Sequence, residues 1–433
     1  MKIINLISGE FMLEDKNRRE FIKVGGVATL GALFPWFKVF ADDRAGMGAA
    51  DRVRIGLIGV GSRGKALMEN LKVMIDEGAN IEIAAVCDNY QPHYERAIEE
   101  CGNPKVKAFY NYKKMLEMKD LDAVVIATPL HEHAHIAIDS MEAGLQVFCE
   151  KAMARTLDDI KAMYETHKRT GNILQIGHQR MFDPKYLEGI EKIKNGELGI
   201  IGQIRAYWHR NNDWRREVPE DRPELEEKIN WRLYREYSAG LLTELGSHQF
   251  QVANWAKDDS PISVMGTGSI RYWKDGREVY DNVATIFSYE DGTQFIWDSM
   301  TSNRKYGLQE QIMGDLGTME LETNKQYSEN PPAAPGIREL INDIEHAIFD
   351  NIPIGGATWV PETAVEYDGE YISDEWEVDE TKLQMEAFVR YIRNGNFPGE
   401  LIREAYNASI WAIRAEQAID SGEKLELPKK YQI

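Results

Sequence analysis

The sequence VRIGLIGVGSRG, residues 53–64, decides the fold of the first half of this chain. An apolar run of strand length leads into the pattern Gly-x-Gly-x-x-Gly, and the residues that follow, KALMENLKVMIDEG, are typical of a helix. In this context the glycines allow a tight turn, let backbone approach a pyrophosphate and let helix and strand pack closely, while the helix N-terminus attracts phosphates. The sequence therefore predicts a dinucleotide-binding loop made of Gly59, Gly61, Ser62, Arg63 and Gly64.

An acidic residue follows the next predicted strand. The apolar run at 81–87 ends at Asp88, at close to the roughly 20 residues that separate loop and acidic residue in NAD-binding folds. A carboxylate there accepts hydrogen bonds from ribose hydroxyls and repels a 2′-phosphate, which favours NAD over NADP. Helix and strand patterns alternate as far as residue 149, the rhythm of a parallel sheet. We therefore expect a Rossmann domain at 52–178.

Composition limits the classes of protein that remain. The chain has 433 residues, of which 43% are hydrophobic, and 51 Lys and Arg stand against 71 Asp and Glu, giving a net charge of −20. The length predicts two or three domains. The negative charge works against nucleic acid as a partner. Three scattered cysteines fit neither a disulfide framework nor a cysteine-based zinc site.

The N-terminal segment resembles a twin-arginine export signal. Arg18 and Arg19 precede a weakly apolar, glycine-rich stretch at 24–37 that is too short to span a bilayer, and small residues flank a cleavage position after Ala41. We expect residues 1–41 to be a signal peptide, the mature protein to be periplasmic, and no membrane span after cleavage. The alternative is an amphipathic N-terminal helix that is retained.

After residue 179 the pattern changes to a helix followed by half-buried strands, which predicts an α+β domain at 179–421 with a large, mostly antiparallel open sheet. Residues 322–381 are interpreted as an insertion containing loops and a helix at 337–349. Closing helices are expected at 382–394 and 403–421.

A polar and aromatic stretch lies between the strands of this second domain. It reads HRNNDWRR from 209 to 216 and continues to Trp231 and Arg232. Tryptophans are costly to expose, and aromatic faces interleaved with hydrogen-bonding groups suit a sugar ring. A solvated loop is the alternative. The candidate substrate residues are His209, Asn211, Trp214 and Trp231.

Three further motifs resemble one known family. Thr128-Pro129 with His131 and His133 follow a predicted buried strand, Glu150-Lys151 follow the next one, and LQIGHQRMFDP occupies 174–184. With the glycine loop, these are similar to the Gfo/Idh/MocA oxidoreductases, NAD(P)-dependent enzymes of sugars and polyols. The resemblance covers about residues 52–320 and the closing helix.

The resemblance implies roles for these residues. Lys151 would lie between the nicotinamide and the substrate hydroxyl, and His133 near the nicotinamide. The family pattern Glu-Lys-Pro is broken here by Ala152, which loosens the loop but leaves the lysine. The spacing of His131, His133 and His135 also permits zinc, but the family role is preferred and no metal is expected. The resemblance assigns cofactor contacts to Thr128, Pro129, His131, His133, Glu150 and Lys151, and a substrate contact to Arg180.

An acidic residue and a histidine four apart complete the predicted site. Glu244 and His248 occupy the place where the family's dehydrogenases have such a pair, usually with Asp first. On one helical face Glu244 would orient His248, which would contact the substrate and accept the proton of the hydroxyl being oxidised. Lys151, His248 and Glu244 are thus the predicted catalytic residues.

The resemblance implies an NAD-dependent oxidoreductase that oxidises a glycoside hydroxyl, at C3, to a keto-glycoside. Because a periplasm supplies little free NAD, the cofactor should be tightly bound. The first alternative is an NAD-dependent glycosidase that works by transient C3 oxidation and elimination, and the second is a non-catalytic sugar- or nucleotide-binding protein. The expected partners are a small carbohydrate and further copies of the chain.

Overall fold

The computed structural model describes residues 51–329, 369–374 and 378–433. Of these, the residues in 53–74 and from 82 onward belong to one compact unit that holds almost all of two sheets. In a second unit, residues 75–81 form a turn in which the N–H of Gly78 donates to the carbonyl oxygen of Ile75 at 2.9 Å. The predicted signal peptide and the predicted helix at 337–349 lie outside the described residues.

The first sheet has six strands in the order β3-β2-β1-β4-β5-β6. The pairs β2–β3, β1–β4, β4–β5 and β5–β6 are parallel. The strands are β1 (Val53–Ile58), β2 (Ile81–Cys87), β3 (Lys107–Phe109), β4 (Ala123–Ile126), β5 (Gln146–Cys149) and β6 (Leu174–Ile176). The helices are α1 (Ser62–Asp76), α2 (Gln91–Glu100), α3 (Tyr112–Leu116), α4 (His133–Glu142) and α5 (Leu157–Thr170). This strand order, reversing between β1 and β4, confirms the predicted Rossmann fold.

The second sheet has nine strands in the order β14-β13-β12-β11-β7-β10-β9-β8-β15. Only the central pair β7–β10 is parallel among these described strands, so the predicted mostly antiparallel sheet is confirmed. The strands are β7 (Ile201–His209), β8 (Ser263–Ser269), β9 (Asn282–Ser288), β10 (Gln294–Met300), β11 (Leu308–Gly314), β12 (Gly317–Glu320), β13 (Lys325–Ser328), β14 (Glu370–Tyr371) and β15 (Leu425–Glu426). The helices are α6 (Pro184–Lys194), α7 (Glu226–Ile229), α8 (Ser247–Lys257), α9 (Glu380–Asn394) and α10 (Gly399–Ser421).

One face of this sheet is covered and the other is open. Helix α8 packs on the covered face, where the ring of Phe250 lies 4.9 Å from Phe287 and 5.2 Å from Trp297. On the open face Met265 and Ile286 remain partly exposed. Neighbouring side chains of each strand therefore lie on opposite faces of the sheet, and the face on which a side chain lies decides whether it can reach the site.

The two closing helices begin a few residues earlier than predicted. Helix α10 packs against α8 and also against α5 of the first domain. The hydroxyl of Ser409 on α10 accepts a hydrogen bond from the N–H of Met153 at 2.9 Å. The C-terminal helix thereby holds the loop that follows β5, where Lys151 lies.

The region 322–381, interpreted from the sequence as an insertion of loops and a helix, has strands at its described ends. Strand β13 pairs antiparallel with β12 and with β14, so the described ends of this region extend the sheet. The strand Lys325–Ser328 is short and polar, and it therefore lacks the alternation by which a half-buried strand is recognised. No helix among the described residues is long and apolar enough to cross a membrane.

Candidate active site

The glycine loop has the shape that a pyrophosphate requires. Gly59 has a φ of 83°, and a Cβ there would lie 2.7 Å from the backbone of Ala127. A Cβ on Gly64 would lie 1.9 Å from the carbonyl oxygen of Gly59. A Cβ on Gly61 would meet only the His93 ring, at 3.3 Å. Two glycines are thus needed by the loop itself, and the third leaves space for a phosphate to approach backbone.

Asp88 lies at the end of β2 and holds the loop in place. Its carboxylate accepts the N–H of Val60 at 2.9 Å and the N–H of Tyr90 at 2.8 Å. The Nδ1 atom of His93 is 3.4 Å from the same carboxylate. Asp88 therefore lies where the sequence predicted, and it also anchors the phosphate loop.

Arg63 and Glu150 form an ion pair between α1 and the residue that follows β5. The Nε atom of Arg63 donates to Glu150 at 2.7 Å, and Glu150 is 6% exposed. The Glu150 carboxylate raises the pKa of the Arg63 guanidinium against the opposing effect of its burial. This pair links α1 to the end of β5, so neither charge is free to hold a ligand alone.

Thr128 and Pro129 follow β4 at the same sheet edge. The buried Thr128 hydroxyl has no hydrogen-bond partner within the described part of the chain. An unpaired buried hydroxyl is costly unless a ligand satisfies it. Together with the space at Gly61, this group fits a dinucleotide bound along the sheet edge.

Two of the three clustered histidines, His131 and His135, share one carboxylate. The His131 ring packs 4.6 Å from Tyr237, and His131 and His135 flank the carboxylate of Glu132 at 3.2 and 3.1 Å. The described residues contain no group of three or more metal-ligating side chains placed to hold an ion.

Both ring nitrogens of His133 face backbone carbonyl oxygens. It is 2% exposed, and its Nδ1 and Nε2 atoms lie 2.9 and 3.0 Å from the carbonyl oxygens of Ala152 and Thr128. Burial lowers the pKa of its ring. As the first residue of α4, it faces inward and joins the loops after β4 and β5, so its effect on Lys151 is one of position.

Lys151 lies at the carboxyl end of β5 and contacts Glu244. Its Nζ atom donates to the Glu244 carbonyl oxygen at 2.9 Å and is 4.0 Å from the carboxylate, and its side chain is 13% exposed. Burial lowers the pKa of Lys151. A desolvated amine beside the cofactor edge is suited to polarise or relay a proton from a substrate hydroxyl.

Glu244 does not orient His248, contrary to the prediction. Its carboxylate accepts Nε of Arg232 at 2.8 Å. Burial opposes its charge, but Lys151 and Arg232 outweigh that effect and lower the pKa of Glu244. Glu244 lies in the π-helical segment Leu242–Gly246, whereas His248 lies in the α-helix that follows it. Glu244 therefore interacts with two cations, Lys151 and Arg232, instead of His248.

His248, at the second position of α8, belongs to a buried aromatic cluster. Its ring centroid is 5.7 Å from those of Trp208 and His178. Its Nδ1 has no partner among the described residues. Burial, then the charges of Lys151 and Arg180, keep the pKa of His248 well below its usual value. This environment therefore favours the neutral form of the imidazole.

His178 is a site residue that sequence reasoning missed. It is 2% exposed, and neither ring nitrogen has a well-aligned hydrogen-bond partner in the described residues. Burial, then the charges of Lys151 and Arg180, lower its pKa to about 3. The available signal was its position just after β6, at the sheet edge where Lys151 follows β5.

Arg180 lies behind the site rather than free within it. Its guanidinium stacks 5.3 Å from the Trp208 ring and lies 3.6 and 3.7 Å from the carboxylates of Glu310 and Glu322. Its Nε donates to the Tyr186 hydroxyl at 3.0 Å. The side chain is thus committed to buried partners, and it supports the Trp208 wall that faces His248.

His209 is the last residue of β7 and the neighbour of Trp208. Trp208 points toward His248, so its neighbour His209 points the other way. There His209 is 2.5 Å from Asp298 and packs 5.6 Å from the Tyr306 ring. His209 therefore lies on the face of the sheet opposite to that of Trp208 and His248.

The other predicted substrate residues divide into two groups. The guanidinium of Arg232 lies 4.3 Å from the centroid of the Trp231 ring. Arg232 in turn donates to Glu244, which also accepts a hydrogen bond from Lys151. Asn211 bridges to Ser302 at the end of β7 and is exposed, and Trp214 has a φ of 62° in the segment that follows. Only Trp231 is joined to the catalytic cluster by described contacts.

Comparison with known proteins agrees with this geometry. Residues 53–178 match the model "Oxidoreductase family, NAD-binding Rossmann fold", and residues 186–320 match "GFO/IDH/MocA C-terminal domain". The fold and loop define an NAD-binding oxidoreductase. The chain belongs to the Gfo/Idh/MocA family, whose members related to it include sugar dehydrogenases.

Two curated relatives give the range of similarity. A "Glycosyl hydrolase family 109 protein" of Stenotrophomonas maltophilia (strain K279a) is 30% identical over 202 residues, 44% of this chain and 42% of that protein. The "scyllo-inositol 2-dehydrogenase (NAD(+))" of Bacillus subtilis (strain 168) is 26% identical over 276 residues, 63% of this chain and 74% of that one. The match thus spans half or less of the length of the glycosyl hydrolase relatives.

Two solved structures share the fold. Levoglucosan dehydrogenase in complex with NADH and levoglucosan has a TM-score of 0.67 at 18% identity, covering 87% of this chain and 100% of that one. The WlbA dehydrogenase from Bordetella pertussis in complex with NADH and UDP-GlcNAcA has a TM-score of 0.66 at 18% identity, covering 87% and 99%. At this identity the likeness concerns the fold.

Proposed function

We propose that the protein is a periplasmic, NAD-dependent oxidoreductase that oxidises a glycoside hydroxyl, at C3, to a keto-glycoside. The observation that carries the proposal is the convergence of Lys151, His178 and His248 beside the carboxyl ends of β5 and β6. All three have lowered pKa values, because they are buried. Both ring nitrogens of His178 and Nδ1 of His248 have no well-aligned hydrogen-bond partner among the described residues, so both imidazoles remain available for proton transfer.

The residues divide the work at the hydroxyl. Lys151, as an ammonium, stabilises the negative charge that develops on the oxygen, and Glu244 with its partner Arg232 holds Lys151 in position. The neutral imidazole of His248 accepts the hydroxyl proton. When bound, NAD supplies the hydride acceptor. The indole of Trp208, supported by Arg180, offers the sugar an apolar face.

A glycosidase that works by transient oxidation is the second candidate. The names of the family 109 relatives favour it, although the match covers only part of their length. A ketone at C3 makes the C2 proton acidic, so a base can remove it and the C1 substituent can leave. Water then adds and the ketone is reduced again. The same cluster of Lys151, His178 and His248 could serve this route.

One experiment tests the proposal directly. The purified protein is denatured and the released nucleotide is identified. In a separate sample of intact enzyme, the formation of NADH on addition of sugars is followed by its absorbance. We expect close to one NAD per chain and reduction by a glycoside. A protein that contains NAD but never reduces it with any sugar would instead support a binding function.

Asp88→Ala should weaken NAD binding and relax discrimination against NADP. The carboxylate that would repel a 2′-phosphate is lost, and so are the hydrogen bonds to Val60 and Tyr90 that hold the loop. We expect about a 10-fold loss of NAD affinity, in line with one charge-assisted hydrogen bond. Titration of stripped protein with NAD and NADP measures both effects. A wild type purified with NADP would contradict the assignment.

Changing Arg18 and Arg19 together to lysine should keep the precursor in the cytoplasm. The proposal rests on the twin-arginine pattern, the apolar stretch and the small residues before the cleavage position after Ala41. Fractionation of expressing cells, with the wild-type chain alongside, measures the location. Unchanged accumulation in the periplasm would exclude this route.

A further inference from the structure

The segment from residue 210 to 230, which leaves β7 and ends just before Trp231, makes two contacts with the first domain. Nη1 of Arg216 donates to the hydroxyl of Ser62 at 2.7 Å. Nζ of Lys228 donates to the carbonyl oxygen of Asn89 at 2.8 Å. Ser62 begins α1 within the glycine loop, and Asn89 follows Asp88. The two cations therefore reach the phosphate end and the ribose end of the dinucleotide site.

The backbone of Arg216 is fixed by a buried side chain. Its N–H donates to Oδ1 of Asn230 at 2.7 Å, and its carbonyl oxygen accepts Nδ2 of Asn230 at 3.1 Å. Asn230 is 2% exposed. The preceding residue, Arg215, pairs with Glu226 and, at 3.3 Å, with Asp275. Arg216 thus projects from a braced segment, although its side chain lies at the surface.

Within the described part of the chain, no carboxylate forms an ion pair with Arg216. Its neighbours Arg63, Arg215 and Arg232 each have an acidic partner, whereas the contact of Arg216 recorded in the described residues is with a neutral hydroxyl. A guanidinium has five N–H donors, so most remain available. An unpaired cation is notable in a chain with a net charge of −20, because carboxylates are plentiful.

We propose that Arg216 is a pyrophosphate ligand, supplied to the glycine loop by the second domain, which slows the release of bound NAD. The inference rests on the proposed function, in which NAD stays with the protein. Phosphates attracted to the N-terminus of α1 would meet the backbone N–H groups from one side and the guanidinium from the other. An exported protein that cannot replace its cofactor needs such a second hold.

Arg216→Ala should release NAD about 10- to 100-fold faster than wild type, the range for a hydrogen bond to a charged group. Release is followed after addition of an excess of a dehydrogenase that consumes free NAD. Arg222→Ala is the matched control, because Arg222 lies in the same segment, is exposed and pairs with Glu224. Thermal unfolding of each variant verifies the fold. Equal release rates for wild type, Arg216→Ala and Arg222→Ala would overturn the inference.

Binding of fragments to stripped protein identifies the contact. Arg216→Ala should lose affinity for NAD and ADP-ribose by the same factor and keep that for adenosine, which has no phosphate. Equal losses for all three would mean that Arg216 acts through the fold, which contradicts the proposal. In another outcome, wild type is isolated without nucleotide while Arg216→Ala still weakens the binding of added NAD. That result would support the role of Arg216 as a pyrophosphate ligand and contradict the permanent retention of NAD. If wild type binds no dinucleotide, both fail.

Discussion

Replacing Lys151 by alanine is expected to slow oxidation of the glycoside by about 10²- to 10⁴-fold, the usual contribution of a positioned acid–base group. Lys151 lies at the end of β5, and the variant removes its ammonium group, which donates a hydrogen bond to the carbonyl oxygen of Glu244. NAD should remain bound, because the phosphates are held by the glycine loop and not by this side chain. Single-turnover reduction of resident NAD by a glycoside measures the effect.

Lys168→Ala is the control for this experiment, since Lys168 is an exposed lysine in the last turn of α5. It should leave the rate unchanged. Nucleotide content is measured in the same samples. Full hydride transfer by Lys151→Ala, with NAD present, would show that this lysine is not part of the chemistry.

The pH dependence gives an independent test of the role of Lys151. Its ammonium form is present below its pKa and is lost above it. Because burial lowers that pKa, the rate should fall at a lower pH than for an ordinary exposed lysine. This alkaline limb should disappear in Lys151→Ala. A rate that instead rises with pH through the same limb would mean that the neutral amine acts as the base.

Replacing His248 by alanine is expected to cost about 10²- to 10⁴-fold as well, because the neutral imidazole that accepts the proton is lost. Gln251→Ala, three residues further along α8, removes a buried polar side chain of the same helix that has no hydrogen-bond partner among the described residues. It therefore controls for a loss of stability. Full activity of His248→Ala would contradict the assignment and leave His178 as the candidate base.

Wild-type enzyme incubated with a methyl glycoside in D₂O distinguishes the two candidate functions. A dehydrogenase should release a keto-glycoside with the methyl group attached when an electron acceptor is present. A redox glycosidase should release methanol and place deuterium at C2, because that proton leaves before elimination and is replaced afterwards. A keto group at a carbon other than C3 would leave the site intact and overturn the C3 assignment.

Local sequence determined the first domain and its cofactor. The turn at Gly59–Gly64 and the carboxylate at Asp88 are recognisable because each depends on a few consecutive residues and on the strand before it. Lys151 was predictable for a similar reason, since it follows a strand at the edge where α/β sites form. The alternation of the later strands likewise indicated an antiparallel sheet with one open face.

Tertiary structure decided which side chains meet. A period of two separates the faces of β7 but does not tell which face is covered. The sequence therefore does not show that His209 lies beside Asp298 on one face while its neighbour Trp208 faces His248 on the other. Glu244 pairs with Arg232, a residue 12 positions earlier, and this contact follows from the folding of the chain rather than from helical spacing. His178 joins His248 only because the end of β6 and the start of α8, distant in sequence, lie side by side. Burial, which lowers the pKa of both histidines, is a property of that packing and of no single segment of the chain.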